Sequence, residues 1–335
     1  MSGASQRPRP LHRRAQDRIE MGAARLVQAI SLAAPGEAWA QSAGRVIGPL
    51  WPGLVKRVAD NLALVRPEAS RAEARALAAD VCGHFARVAV EYLNLDRIAA
   101  DPGRVVIEDA GPLLAALDSG RGAVLVTGHF GNWEAIRLAV RQASGPVAGP
   151  VSGPVSEQDS GESSGQGSGQ AGSGRDCALI YRAFNNPLFD DWSRSMISHA
   201  GTPVLHKGRD GTRALLRHVA RKGVALILVD QRQTGSPLIP FLGREAETAL
   251  AAAELALRFD AALIPARGLR LADGRFSVRF EDEIARTDAE TMMTEVNARI
   301  GAWIEAWPEQ WFWLHRRWKT RPRGARIRAA RGEGG

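Results

Sequence analysis

Two periodicities divide the chain. From Leu54 to about residue 100, apolar residues recur at helical spacing. LVKRVADNLALV reads as one helix, and after Pro67 a second carries Leu77, Val81, Phe85, Val88 and Tyr92, close to a 3.6-residue period. Ser70 with Glu73 three residues later has the spacing of a capping box, so the second helix starts there. From about residue 104 the pattern changes to short β-branched runs alternating with helical stretches: VVIED (105–109), GAVLVTG (122–128), CALIYRAF (177–184), GVALILVD (223–230), ALIPARGL (262–269) and SVRFED (277–282). Strands alternating with helices predict an α/β fold, a mixed sheet flanked by helices and preceded by N-terminal helices.

One stretch fits neither pattern. Residues 144–175 hold a threefold GPV repeat and a Gly/Ser/Gln tract with almost nothing to bury, which reads as a disordered surface insertion. The organisation expected is a basic tail (1–20), a helical, membrane-associating region (21–103), an α/β domain (104–322) carrying the insertion, and a basic C-terminal tail (323–335).

Composition narrows the class. The 335 residues include 44 Lys+Arg and 36 Asp+Glu, a net charge of +8, and 45% are hydrophobic, enough for a core and too many for a disordered chain. Two cysteines, Cys82 and Cys177, with no CxxC pair, argue against a disulfide framework or a cysteine zinc site. The apolar 26–55 region is broken by Glu37, Arg45 and three prolines, and its charge-free runs fall short of the ~20 residues of a spanning helix. It reads as lying on a membrane or packing on the domain. Five tryptophans, Trp303, Trp307, Trp311, Trp313 and Trp318, precede an arginine-rich end, a composition suited to a lipid interface and an acidic partner, with core packing as the alternative. No nucleic-acid-binding motif accompanies the basic charge, so nucleic acid is not expected as a partner.

The chemistry concentrates in GAVLVTGHFGNWEAIRLAV. A buried strand runs into Gly128-His129-Phe130-Gly131, and Asn132 can cap the helix that follows. His129 thus sits at the carboxyl end of a strand, where open α/β sheets form ligand crevices. Glu134, five residues on and in the first helical turn, can fold back to accept the imidazole N–H, leaving the other nitrogen to deprotonate an alcohol. Metal ligation by this pair has no supporting cluster, because His199, His206 and His218 are scattered.

HFGNWE resembles the H-x4-[DE] signature of the bacterial lipid A biosynthesis acyltransferases, the lauroyl/myristoyl type, shared with glycerolipid acyltransferases. The resemblance continues in order through YRAFNNPLFDDW (181–192), GVALILVDQR (223–232), PFLGREAETALAAAELALR (240–258), IPARGLR (264–270) and WPEQWFWLHRRWKTRP (307–322). It implies a glycerol-3-phosphate acyltransferase-like fold and an enzyme moving a fatty acyl chain from acyl carrier protein to a hydroxyl of a lipid A precursor. His129 would then be the general base and Glu134 its partner, with Arg182, Asp230, Gln231, Arg232, Arg267 and Asn132 binding substrate. No cofactor or metal is implied, no acyl-enzyme is required, and the location would be the cytoplasmic face of the inner membrane, peripheral or monotopic. The same chemistry would serve another lipid acceptor, a lysophospholipid or glycolipid. A protein that binds anionic lipid without catalysis is the alternative from another class.

Overall fold

The computed structural model describes residues 11–34, 36–144 and 176–318. Residues 1–10 of the basic N-terminal tail, nearly all of the 144–175 insertion and the 323–335 tail lie outside the described residues. The N-terminal part is helical: α1 (Leu11–Ala33), α2 (Ala38–Ile47), α3 (Pro52–Val65), α4 (Arg71–Tyr92) and α5 (Leu95–Ala100). The capping box at α4 is formed, with the Glu73 N–H on the Ser70 hydroxyl and the Ser70 N–H on the Glu73 carboxylate at 2.7 Å.

Among the described residues, nine strands and six further helices follow: β1 (Val105–Asp109), α6 (Gly111–Asp118), β2 (Ala123–Thr127), α7 (Glu134–Ala143), β3 (Cys177–Tyr181), α8 (Pro187–Ser198), β4 (Val204–His206), α9 (Arg209–Ala220), β5 (Val224–Leu228), β6 (Leu238–Phe241), β7 (Arg244–Glu247), α10 (Ala251–Phe259), β8 (Ala262–Arg270), β9 (Phe276–Phe280) and α11 (Ala289–Ala306). Seven strands make one sheet in the order β1-β9-β8-β2-β5-β3-β4, parallel except for the β8–β9 pair, so the mixed α/β expectation holds. β2 lies near its centre and every residue of it is buried, which accounts for its unbroken apolar run. Its side chains alternate between layers. Val124 and Val126 enter the core shared with α3, α4, α9, α10 and α11, while Ala123 and Leu125 enter the one shared with α5, α6, α7 and α8.

Two features escaped the sequence patterns. β4 is three residues long, too short for a period, and β6–β7 is a two-stranded antiparallel hairpin turning at Leu242-Gly243, both with positive φ (49° and 70°). That turn ordinarily takes Asn-Gly or Gly-Gly, so leucine concealed it.

The C-terminal tryptophans are core residues, correcting the expectation of a lipid-facing cluster. Trp303, Trp311, Trp313 and Trp318 are buried, and Trp311 packs edge-on against Trp313 and Trp318. Among the described residues, most of the exposed large apolar side chains lie instead at the N-terminal helices: Ile19, Leu26, Ile30 and Leu32 on α1, then Val46, Ile47, Leu50 and Trp51, with Trp51 60% exposed. No described helix is long and apolar enough to cross a membrane.

Candidate active site

β2 and β5 are adjacent and parallel, with Thr127 opposite Leu228. Two residues beyond each, His129 and Asp230 are therefore level at the carboxyl edge of the sheet. The His129 Nδ1 is 2.8 Å from Asp230 Oδ1, and the His129 backbone N–H donates to Asp230 Oδ2 at 2.8 Å. Trp311 adds a third donor, its indole N–H reaching the same Oδ2 at 2.8 Å. Asp230 is fully buried, while the His129 side chain keeps 21% of its surface exposed. Burial would raise the Asp230 carboxyl, but the opposing charge and hydrogen bonds of His129, with a contribution from His315, outweigh it and hold the group well below the usual carboxylate range. An ionised Asp230 fixes Nδ1 as the protonated nitrogen and leaves the Nε2 lone pair available, where the Gln231 side-chain amide lies at 3.2 Å.

Glu134 occupies a different place from the one its spacing suggested. It is fully buried on the first turn of α7, accepts the Tyr92 hydroxyl at 2.9 Å and pairs with the equally buried Arg137 at 2.7 Å. Arg137 in turn donates to the carbonyls of Cys177, Ile197 and Gly201, tying α7 to β3 and α8. The carboxylate on the histidine is thus Asp230, 101 residues away in sequence.

Asn132 is likewise buried. Its carbonyl oxygen accepts the Glu134 N–H at 3.0 Å, the cap expected of it, and its amide donates to Glu91 at 2.9 Å, so both ends of the side chain are bonded inside the fold. Arg232 is held by Glu247 at 2.6 Å, and Arg267 by Glu108 at 2.9 Å while stacking over Trp307. Both are therefore engaged in ion pairs within the protein. Arg182 lies just past β3 on the same sheet edge as His129, is exposed, and has no ion pair among the described residues.

The loop around His129 is fixed from two sides. Gly131 adopts φ +57°, and a Cβ there would sit 1.9 Å from the Gly268 carbonyl of β8; its N–H donates to Gln310 O and the Asn132 N–H to Gly268 O. The Phe312 N–H donates to the His129 carbonyl, so the tryptophan-rich segment forms the back wall of the site. From α4, His84 Nε2 contacts Gly131 O at 3.1 Å, and Arg270 bridges His84 and Glu91. Sequence reading missed His84, Glu91, Arg270, Trp311 and His315, because none shares a local motif with His129.

His315 packs edge-on against His129, with ring centroids 4.8 Å apart, and its Nε2 is buried without a hydrogen-bond partner. His129, Asp230 and His315 bring potential ligand atoms within 4.8 Å of one another. That donor set suits a divalent ion in principle. In this geometry, however, Asp230 already receives three N–H groups, and an ion would have to displace the Nδ1–H bond. Cys177 offers no nucleophile, since burial pushes its thiol up to about 12.

Burial, reinforced by the neighbouring His129 and Arg317 charges, lowers His315 from 6.5 to about 4 despite the attraction of Asp230. His84 is also lowered well below 6.5, by burial and by Arg270. Both bind a proton more readily when unfolded, so they remove stability as pH falls from 6.5 towards 4. His315 alone contributes a loss of about 2 kcal/mol at pH 5. Asp230, also lowered in the fold, acts in the same direction but only below its ordinary range near 3.8, outside this window. Urea unfolding at pH 7.5 and 5.0 checks this: wild type loses at least that amount and His315→Asn loses less. An equal loss in both proteins contradicts the assignment.

A sequence model of the family described as bacterial lipid A biosynthesis acyltransferase matches residues 27–150 and 171–320. The two segments flank the Gly/Ser-rich stretch and contain every residue of the site described above. No curated protein matches the chain.

Proposed function

The chain belongs to the bacterial lipid A biosynthesis acyltransferase family, and on that premise we propose that it transfers a fatty acyl chain from acyl carrier protein to a hydroxyl of a lipid A precursor, with His129 as general base. The observation that carries this reading is the His129–Asp230 pair, 2.8 Å apart at the carboxyl edge of the sheet, its outer imidazole nitrogen reaching the surface. Nε2 takes the proton from the acceptor hydroxyl while that oxygen attacks the thioester carbonyl. Asp230 stabilises the imidazolium that results. Collapse of the tetrahedral intermediate breaks the C–S bond, the imidazolium returns its proton to the departing thiolate, and ester and free thiol leave.

Arg182 supplies a planar donor for a phosphate of the acceptor at the same edge. Apposition to the cytoplasmic face of the inner membrane is supported by the exposed apolar side chains on and beside α1 and α2, interspersed with Arg13, Arg14, Arg18 and Arg25. Mass spectrometry of purified enzyme with acyl carrier proteins of several chain lengths and a tetra-acylated, Kdo-bearing precursor tests the reading. A mass gain of one acyl group identifies acceptor and donor length together; gain on a lysophospholipid alone reassigns the acceptor.

A further inference from the structure

α9 carries a row of cations that the site does not use. Arg209, Arg213, Arg217 and Arg221 recur every four residues, a spacing that keeps them on one side of the helix and its C-terminal cap, and all four are exposed. The opposite side, Leu215 and Val219, is in the core. Lys207 precedes the row and Lys222 follows it. The helix contains one carboxylate, Asp210, which lies 3.8 Å from Arg213. Among the described residues, Arg209, Arg217 and Arg221 have no ion pair.

Stability of the helix does not account for this pattern. Arginines four apart repel one another, and Arg209 stands in the first turn, where the helix dipole disfavours a cation. Only Arg217 and Arg221, at the other end, are favoured by the dipole.

The row also has a definite place. β4 is parallel to β3, and β3 to β5, so the end of β4 shares its sheet edge with His129 and Asp230. α9 starts three residues after β4 ends, and from there the row runs back for about 18 Å. Arg182 after β3 and Lys207 after β4 continue the positive track towards the site.

We infer that this arginine row is the docking surface for the acidic carrier protein that delivers the acyl thioester. The inference rests on the acyl-carrier reading above. A carboxylate-rich surface laid along α9 would place its thioester arm at the sheet edge, steered there by charge. A membrane fits this helix less well. An interfacial helix sinks large apolar side chains into lipid, and among the described residues none of the exposed large apolar side chains is on α9.

The test uses the full-length enzyme and the double variant Arg213→Glu/Arg217→Glu, with dodecanoyl-acyl carrier protein and dodecanoyl-pantetheine as alternative donors to one lipid acceptor. Docking predicts a KM for the carrier-bound donor raised about tenfold or more, with a several-fold smaller change for the pantetheine donor. It also predicts that raising salt from 50 to 300 mM weakens the wild type towards the variant. Equal losses on both donors, or an unchanged carrier KM, overturn the inference. So does an unchanged carrier KM with lost sedimentation on phosphatidylglycerol-containing vesicles, which assigns the row to lipid. Wild-type transfer from pantetheine but not from the carrier overturns the acyl-carrier reading and the docking row with it. If the wild type uses the carrier and the variant matches it, the row alone is wrong.

Discussion

Asp230→Asn lowers kcat by about 10²–10⁴ and leaves KM for both substrates near wild type. The carboxylate is completely buried and touches His129 rather than the surface, so no substrate contact is lost. An asparagine has one acceptor oxygen for three donors, the backbone and Nδ1 N–H groups of His129 and the Trp311 indole N–H. With the oxygen kept by the backbone and indole donors, its NH2 faces Nδ1 and stabilises the tautomer whose Nε2 carries the proton. The base is then protonated on the wrong nitrogen, and the imidazolium loses its counter-charge. Steady-state kinetics with the carrier-bound donor checks this, and a kcat within fivefold of wild type would remove Asp230 from its role.

Glu134→Gln is expected to cost about 3–5 kcal/mol of folding stability, because it leaves the fully buried Arg137 guanidinium without its counter-charge. That is a large part of the ~5–15 kcal/mol that holds an ordinary domain together. Tyr92 also loses a charged acceptor: burial and Glu134 together hold its hydroxyl protonated far above the usual range. Activity per folded molecule should stay within a few-fold of wild type, since the contacts of Glu134 are to Tyr92 and Arg137. Adding Arg137→Met removes the unpaired charge and should recover part of the stability. A variant that melts like wild type but has lost two orders of magnitude in kcat would instead return Glu134 to the chemistry.

These two predictions mark where the sequence was legible. The run GAVLVTG identified a central strand because both of its faces are apolar, and His129 two residues past its end was visible as a site residue. Asp230 was visible in the same way, at the end of GVALILV, but the contact between them depends on β2 and β5 being neighbours in register, and about a hundred residues of chain separate them. Local spacing could offer only Glu134 as a partner. The tryptophans show the same limit from the other side. Composition suggests an interface, yet Trp311 is consumed by Asp230, Trp303 by Glu281 and Trp313 by the Pro308 carbonyl. Gly131 of HFGNWE owes its place to long-range packing as well, since the backbone of Gly268 on β8 leaves no room for a Cβ there. The β6–β7 hairpin stayed hidden because Leu242 stands where a turn residue is expected.

The most direct test of the central claim is a mass-spectrometric transfer assay comparing wild type with His129→Ala at matched folded fraction. The account predicts a gain of one acyl group on the lipid A precursor with wild type and none above background with the variant. Transfer by His129→Ala within a few-fold of wild type would contradict it.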